Sequence, residues 1–128
     1  MKVTDLMVGD WVNYKSPSSG KLRPIKIQNI YGCEFNCEVE NWNIISGKSI
    51  SDTEPIKLTE EILVKNGFKK ENQTIDGDYC KYTLPMFVLN WCDTDGFWYQ
   101  NGDITPNHVH ELQHLLRLCG IEKELIID

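Results

Sequence analysis

Five residues toward the C-terminal end, His110-Glu111-Leu112-Gln113-His114, have the types and spacing of a zinc-hydrolase motif. Residues four apart share one helix face, so two imidazoles can hold a single zinc ion. The Glu between them then takes a proton from the metal-bound water. This assigns His110 and His114 as ligands and Glu111 as general base. A catalytic zinc takes a third protein ligand. The extended protease pattern places a glycine three residues after the second histidine and another histidine six after it, where this chain has Arg117 and Gly120. Glu122 and Glu124 follow just past Gly120, not on a second long helix. The plainer reading is the polar side of an amphipathic helix. At about 100° per residue, Val109, Leu112, Leu115, Leu116 and Cys119 make one apolar stripe, and His110 and His114 fall opposite it. The wheel suits both readings, and the missing third ligand favours the plain one. No catalytic, cofactor-binding or metal residue is then expected. Zinc at His110 and His114 is the alternative.

The cysteines offer further chemistry. Cys33-x-x-x-Cys37 together with the histidine pair contains the ligand types of a structural zinc site, but the intervening chain far exceeds the usual spacing of about 12–15 residues. An even spacing on one strand would instead put Cys33 and Cys37 on the same face, as small core residues. A nucleophilic pair of Cys80 or Cys92 with a histidine has no supporting signature around either cysteine. The chain also lacks a Gly-x-Ser-x-Gly elbow, a phosphate-cradling glycine loop and a dinucleotide fingerprint.

Aromatic residues supply a different function class. Of the four tryptophans (11, 42, 91 and 98), Trp98 lies in the run Phe97-Trp98-Tyr99. Neighbours on a strand point to opposite faces, so either Trp98 or the Phe97/Tyr99 pair must meet solvent, the C-terminal helix or a partner. Trp98 and Trp42 are the candidate partner surface, for an unknown protein or for self-association.

Bulk properties bound these options. The chain has 128 residues, 41% hydrophobic and 25% charged, with a formal net charge of −6. A chain of this length buries roughly two-thirds of its surface on folding, enough for one core. The acidic balance argues against nucleic acid as the main partner, because phosphate backbones select for Lys and Arg. No apolar run approaches the ~18 residues of a membrane span. Five cysteines, an odd number, and an opening without a signal-like apolar run lead to the expectation of reduced thiols in the cytoplasm.

The elements that must position these residues read as follows. Asp5 to Tyr14 suggests a helical turn, a Gly9-Asp10 turn and a strand, followed by a loop over 16–20. Leu22 to Tyr31 is broken by Pro24 and then alternates, with Ile25 and Ile27 on one face and Lys26, Gln28 and Ile30 on the other. Phe35, Cys37 and Val39 share a face of another strand, and Ile44-Ile45 begins one more. The close spacing suggests a small antiparallel sheet or an SH3-like barrel. Thr59 caps a helix over 59–66 with Glu60 and Glu61 in its first turn, Leu58 and Leu63 staple it, and Gly67-Phe68 ends it. Tyr79 to Trp91 reads as strand interrupted at Pro85. Asp93-Thr94-Asp95-Gly96 turns into Phe97-Trp98-Tyr99, and Asn101-Gly102 ends that strand. Thr105 as cap and Pro106 as first residue open a helix over 106–119, which Gly120-Ile121 closes. The apolar tail Leu125-Ile126-Ile127 is suited to docking as an edge strand.

Three blocks carry a resemblance: Asp5-Leu6-x-x-Gly9-Asp10, then Glu54-Pro55-Ile56-x-Leu58-Thr59-Glu60-Glu61-Ile62-Leu63-x-x-Asn66-Gly67-Phe68, then Val109-His110-Glu111-Leu112-Gln113. In this order they resemble a family of small bacterial and phage-associated proteins without an assigned activity. The resemblance spans nearly the whole chain. In that family Val-His-Glu alternates with Val-His-Gln, and the histidine at the position of His114 is not always present. It implies a mobile-element origin and a non-enzymatic accessory role, with no ligand or catalytic residue.

The expectation is a single α+β domain over 1–128, with a β-rich part (1–50) and an α+β part (51–128) that does not fold independently. Its expected function is binding through protein–protein contacts, with a zinc hydrolase as the alternative.

Overall fold

The computed structural model describes residues 6–39, 43–73, 79–92, 96–100 and 104–127. Trp42, the Asp93-Thr94-Asp95 turn and Asn101-Gly102 lie outside the described residues. The fold is α+β: among the described residues there are two antiparallel sheets, two α-helices and a short 3-10 helix at Ile50–Asp52. Contacts divide the chain into two compact units, Met1–Ile56 with Ile127–Asp128, and Lys57–Ile126.

The first unit is one open sheet and not a closed barrel. Its strands are β1 (Trp11–Lys15), β2 (Leu22–Tyr31), β3 (Glu34–Val39), β4 (Asn43–Ser49) and β5 (Thr53–Glu54), in the order β4-β3-β2-β1-β5. The Gly-Asp opening has a specific role here. Gly9 takes φ 92°, and the Asp10 carboxylate accepts the Met7 N–H at 2.7 Å. The Gly9 N–H then donates to the Ile27 carbonyl, and the Ile27 N–H to the Asp10 carbonyl. These bonds replace the helical turn expected before β1 and lay the lead-in against β2.

Pro24 does not break β2. It pairs with Asn13 of β1, and among the described residues pairing of β2 with β3 begins at Lys26. A register shift between Ile27 and Asn29 inserts an extra residue and reverses the alternation. Ile30 therefore packs against the same core as Ile25 and Ile27, contrary to the simple period-2 reading. Val12, Tyr14, Phe35 and Cys37 complete that core, with Tyr14 and Phe35 edge to face at 6.3 Å.

The second unit holds α1 (Glu60–Lys65), β6 (Lys69–Gln73), β7 (Tyr79–Leu84), β8 (Phe87–Cys92), β9 (Gly96–Tyr99) and α2 (Val109–Leu118). Its sheet runs β6-β7-β8-β9. Helix α1 forms as its sequence dictates. The Thr59 hydroxyl accepts the Ile62 N–H, Gly67 takes φ 89°, and the Phe68 N–H returns to the Leu63 carbonyl at 3.0 Å. Phe68 and Leu63 are both buried. Leu84 faces Phe87 across a two-residue turn, Pro85-Met86, which splits the Tyr79 to Trp91 run into β7 and β8.

Candidate functional site

The histidine-bearing segment is shaped by what precedes it. In β9 the Tyr99 N–H donates to the Ile104 carbonyl at 2.9 Å, and the Phe97 N–H to Asn107 Oδ1 at 3.2 Å. The Asn107 carbonyl accepts the Leu58 N–H at 3.0 Å, and Lys57 bridges to His108. Residues 104–108 are thus held extended, between the outer edge of β9 and the segment before α1. That commitment overrides the Thr105-Pro106 start signal. The helix begins at Val109 with His108 as N-cap, three residues later than its turn chemistry predicts.

This start places Glu111 in the third helical position, where a carboxylate can reach back to the cap. Its Oε1 lies 2.5 Å from His108 Nδ1, with both side chains partly exposed. The His108 side chain itself caps no helical N–H. The carboxylate instead serves the histidine beside it and the positive end of the helix. Glu111, the general base of the motif reading, is therefore engaged by the histidine that the motif does not contain.

The two motif histidines differ in setting. His110 is buried, only 6% exposed, while His114 is half-buried. Their rings meet edge to face at 5.8 Å, and His108 stacks on His110 at 6.0 Å. His110, on the solvent side of the helical wheel, is buried in the fold. Helix α2 buries Val109, Leu112, Leu115 and Leu116 as expected, but His110 and Gln113 as well, so it is enclosed on more than its apolar stripe. Cys119, assigned to that stripe, is exposed just past the helix. Its Sγ lies 3.4 Å from the Tyr99 hydroxyl. Among the described residues no three His, Cys, Asp or Glu side chains form a metal-ligating group.

The remaining candidates are separated. Cys33 is exposed in the turn between β2 and β3, while Cys37 is buried in β3, so they do not share a strand face. Burial pushes the Cys37 thiol up, with Arg23 and Lys48 opposing the shift. Cys80 and Cys92 sit half-buried on β7 and β8, and none of the five cysteines is in a disulfide. Trp98 is half-buried on β9 opposite Asn90, and Phe97 beside it is buried. Tyr99, the other flank, stacks on Phe87 at 5.1 Å.

Two residues that sequence reasoning passed over stand out. Met86, at the tip of the β7–β8 hairpin, is 96% exposed and takes φ 64°. Pro85 immediately before it was the available signal, since proline favours the second position of a turn whose third has positive φ. Asn66 is buried although polar, with its side chain bonded to backbone 60 residues away. Asn-Gly after a helix read only as a stop.

No family model matches the chain, and neither the curated proteins nor the solved structures contain a significant match.

Proposed function

We propose that this chain is a non-enzymatic binding module that acts through protein–protein contacts, in an accessory role fitting its resemblance to bacterial and phage-associated proteins. Met86 carries the reading. It is the one non-glycine residue with positive φ among the described residues, and its side chain is almost wholly in water. Such a backbone costs about 1–3 kcal/mol outside glycine. The position, third in a turn opened by Pro85, suits Gly or Asn. The fold gains no burial from a methionine there. A partner with an apolar pocket would gain about 1.5–3 kcal/mol by covering it, and methionine adapts to pockets of varied shape.

The zinc-hydrolase reading, with His110 and His114 as ligands, needs the Glu111 carboxylate that is bonded to His108. It is the weaker of the two for that reason.

The test is a photoreactive side chain at position 86, irradiated in bacterial cells that contain the cognate partners, with Pro17 on an exposed turn as control site. Discrete protein adducts from position 86 and none from position 17 are expected. Equal or absent adducts at both sites would refute the assignment.

A further inference from the structure

After α2 the chain turns at Gly120 (φ 73°) and runs without regular secondary structure through residues 121–126. Asn66 grips this tail as a strand edge would. Its Oδ1 accepts the Ile126 N–H at 2.7 Å, and its Nδ2 donates to the Ile126 carbonyl at 3.1 Å. The same Nδ2 donates to the Ile62 carbonyl at 2.8 Å, which fixes the amide at the end of α1. Leu125 is buried beside this grip, while the Ile126 side chain points outward and is 59% exposed. Lys123 brings its ammonium next to Gly67, where the carbonyls of α1 concentrate negative partial charge. A main-chain clamp, an apolar anchor and a charge at a helix end are together how proteins hold an extended peptide ligand.

We propose that this seat is exchangeable, and that the tail of a second copy takes it, so that the chain self-associates by reciprocal exchange of its residues from 121 onward. This rests on the reading of the chain as a contact module and names one partner for it. Three observations support it. The clamp reads backbone atoms, and every copy supplies the Leu125 anchor and Lys123, so a tail in trans makes the same bonds as a tail in cis. The connection is permissive, because Gly120 has positive φ and open space around it. Residues 121–124 can also span about 13 Å when extended. Cis and trans states then differ mainly in effective concentration, which for short tethers is on the order of millimolar, and such swapping is a low-cost route to dimers.

Complementation tests this. Asn66→Leu breaks the seat and leaves the tail intact, and Leu125→Ser does the reverse. Each variant alone should sediment as a monomer at about 0.1–0.5 mM. Their equimolar mixture should contain a species of twice the mass, because one intact tail meets one intact seat whose own tail has lost its apolar anchor. A monomeric mixture would overturn the proposal, as would a dimer of either variant alone. If Asn66→Leu fails to fold, as read from its aromatic circular dichroism, a fluorescein-labelled peptide of residues 121–128 replaces it. Leu125→Ser should then bind the peptide at least tenfold more tightly than the wild-type chain does, and equal affinity would overturn the proposal. The cross-link at position 86 is read separately, so the two assignments fail independently.

Discussion

Oε1 of Glu111 lies 2.5 Å from Nδ1 of His108, across the first turn of α2. This bond converts a catalytic-looking glutamate into part of a helix start. Glu111→Ala removes both the bond and a negative charge at the positive end of the helix. Urea unfolding should show a loss of about 0.5–1 kcal/mol, at the low end of capping effects because both groups are partly exposed. Glu111→Gln should recover part of it, since the amide can still bond to the imidazole. An unchanged midpoint in Glu111→Ala would mean that the pair does not stabilise the helix.

Leu112 and His114 sit two residues apart on α2, and their substitution should separate structure from the motif. Leu112 is fully buried, so Leu112→Ala leaves a cavity and should cost about 2–5 kcal/mol. His114→Ala removes a half-buried ring and should cost less than about 1 kcal/mol. A His114→Ala loss as large as that of Leu112→Ala would contradict the enclosure of α2 described above.

Met86→Gly relieves the strained backbone and gives back part of that gain through a looser unfolded chain. The net expectation is stabilisation by about 0.5–1 kcal/mol. Thermal and urea unfolding both check it. Destabilisation would show that the thioether packs usefully within the fold.

How much of this was legible in the sequence depended on whether the deciding contact was local. Helix α1 was readable at both ends because Thr59, Gly67 and Phe68 act within a few residues of it. The start of α2 departs from its sequence signal because Thr105-Pro106, a correct local signal, is overruled by bonds to Phe97, Tyr99 and Leu58. Ile30 lies on the face opposite to its simple alternation because the bulge after Ile27 has no sequence mark of its own. At the histidines, the spacing was visible and the burial of His110 was not. The engagement of Glu111 by His108 needed the helix start to be right. Asn66 was legible as a helix terminus, while its grip on Ile126 spans 60 residues and leaves no periodic trace.

Alkaline pH should weaken the second unit through Tyr82. Burial pushes its phenol above the ordinary value, and the Glu60 carboxylate, which also bonds to it, adds to the shift. Lys70 binds Glu60 at 2.6 Å, and that hydrogen bond raises its ammonium as well. Both folded-state values lie above the unfolded ones. Their contribution to stability is therefore fully present below about pH 10 and is lost as pH rises through the folded values. The urea midpoint should fall as pH rises above about 10, and less steeply in Tyr82→Phe. Equal slopes in the two proteins would remove Tyr82 from the account.

Thiol labelling should divide the cysteines. Cys33 and Cys119 are exposed, whereas Cys37 is buried with its thiol pushed up. At pH 7.5, iodoacetamide should modify Cys37 about a hundredfold or more slowly than either exposed thiol, because it reacts only on local opening and as thiolate. Peptide mass mapping over time gives the rates. Comparable rates would place Cys37 outside the core.

The proposed reading is that His110-Glu111-Leu112-Gln113-His114 builds the start of α2 and holds no catalytic zinc. Its most direct test is zinc content after equilibrium dialysis against zinc, using protein made without a metal-affinity tag, for the wild type and His114→Ala. The account predicts zinc far below one ion per chain, equal in both proteins. One zinc per wild-type chain that disappears in His114→Ala would contradict it.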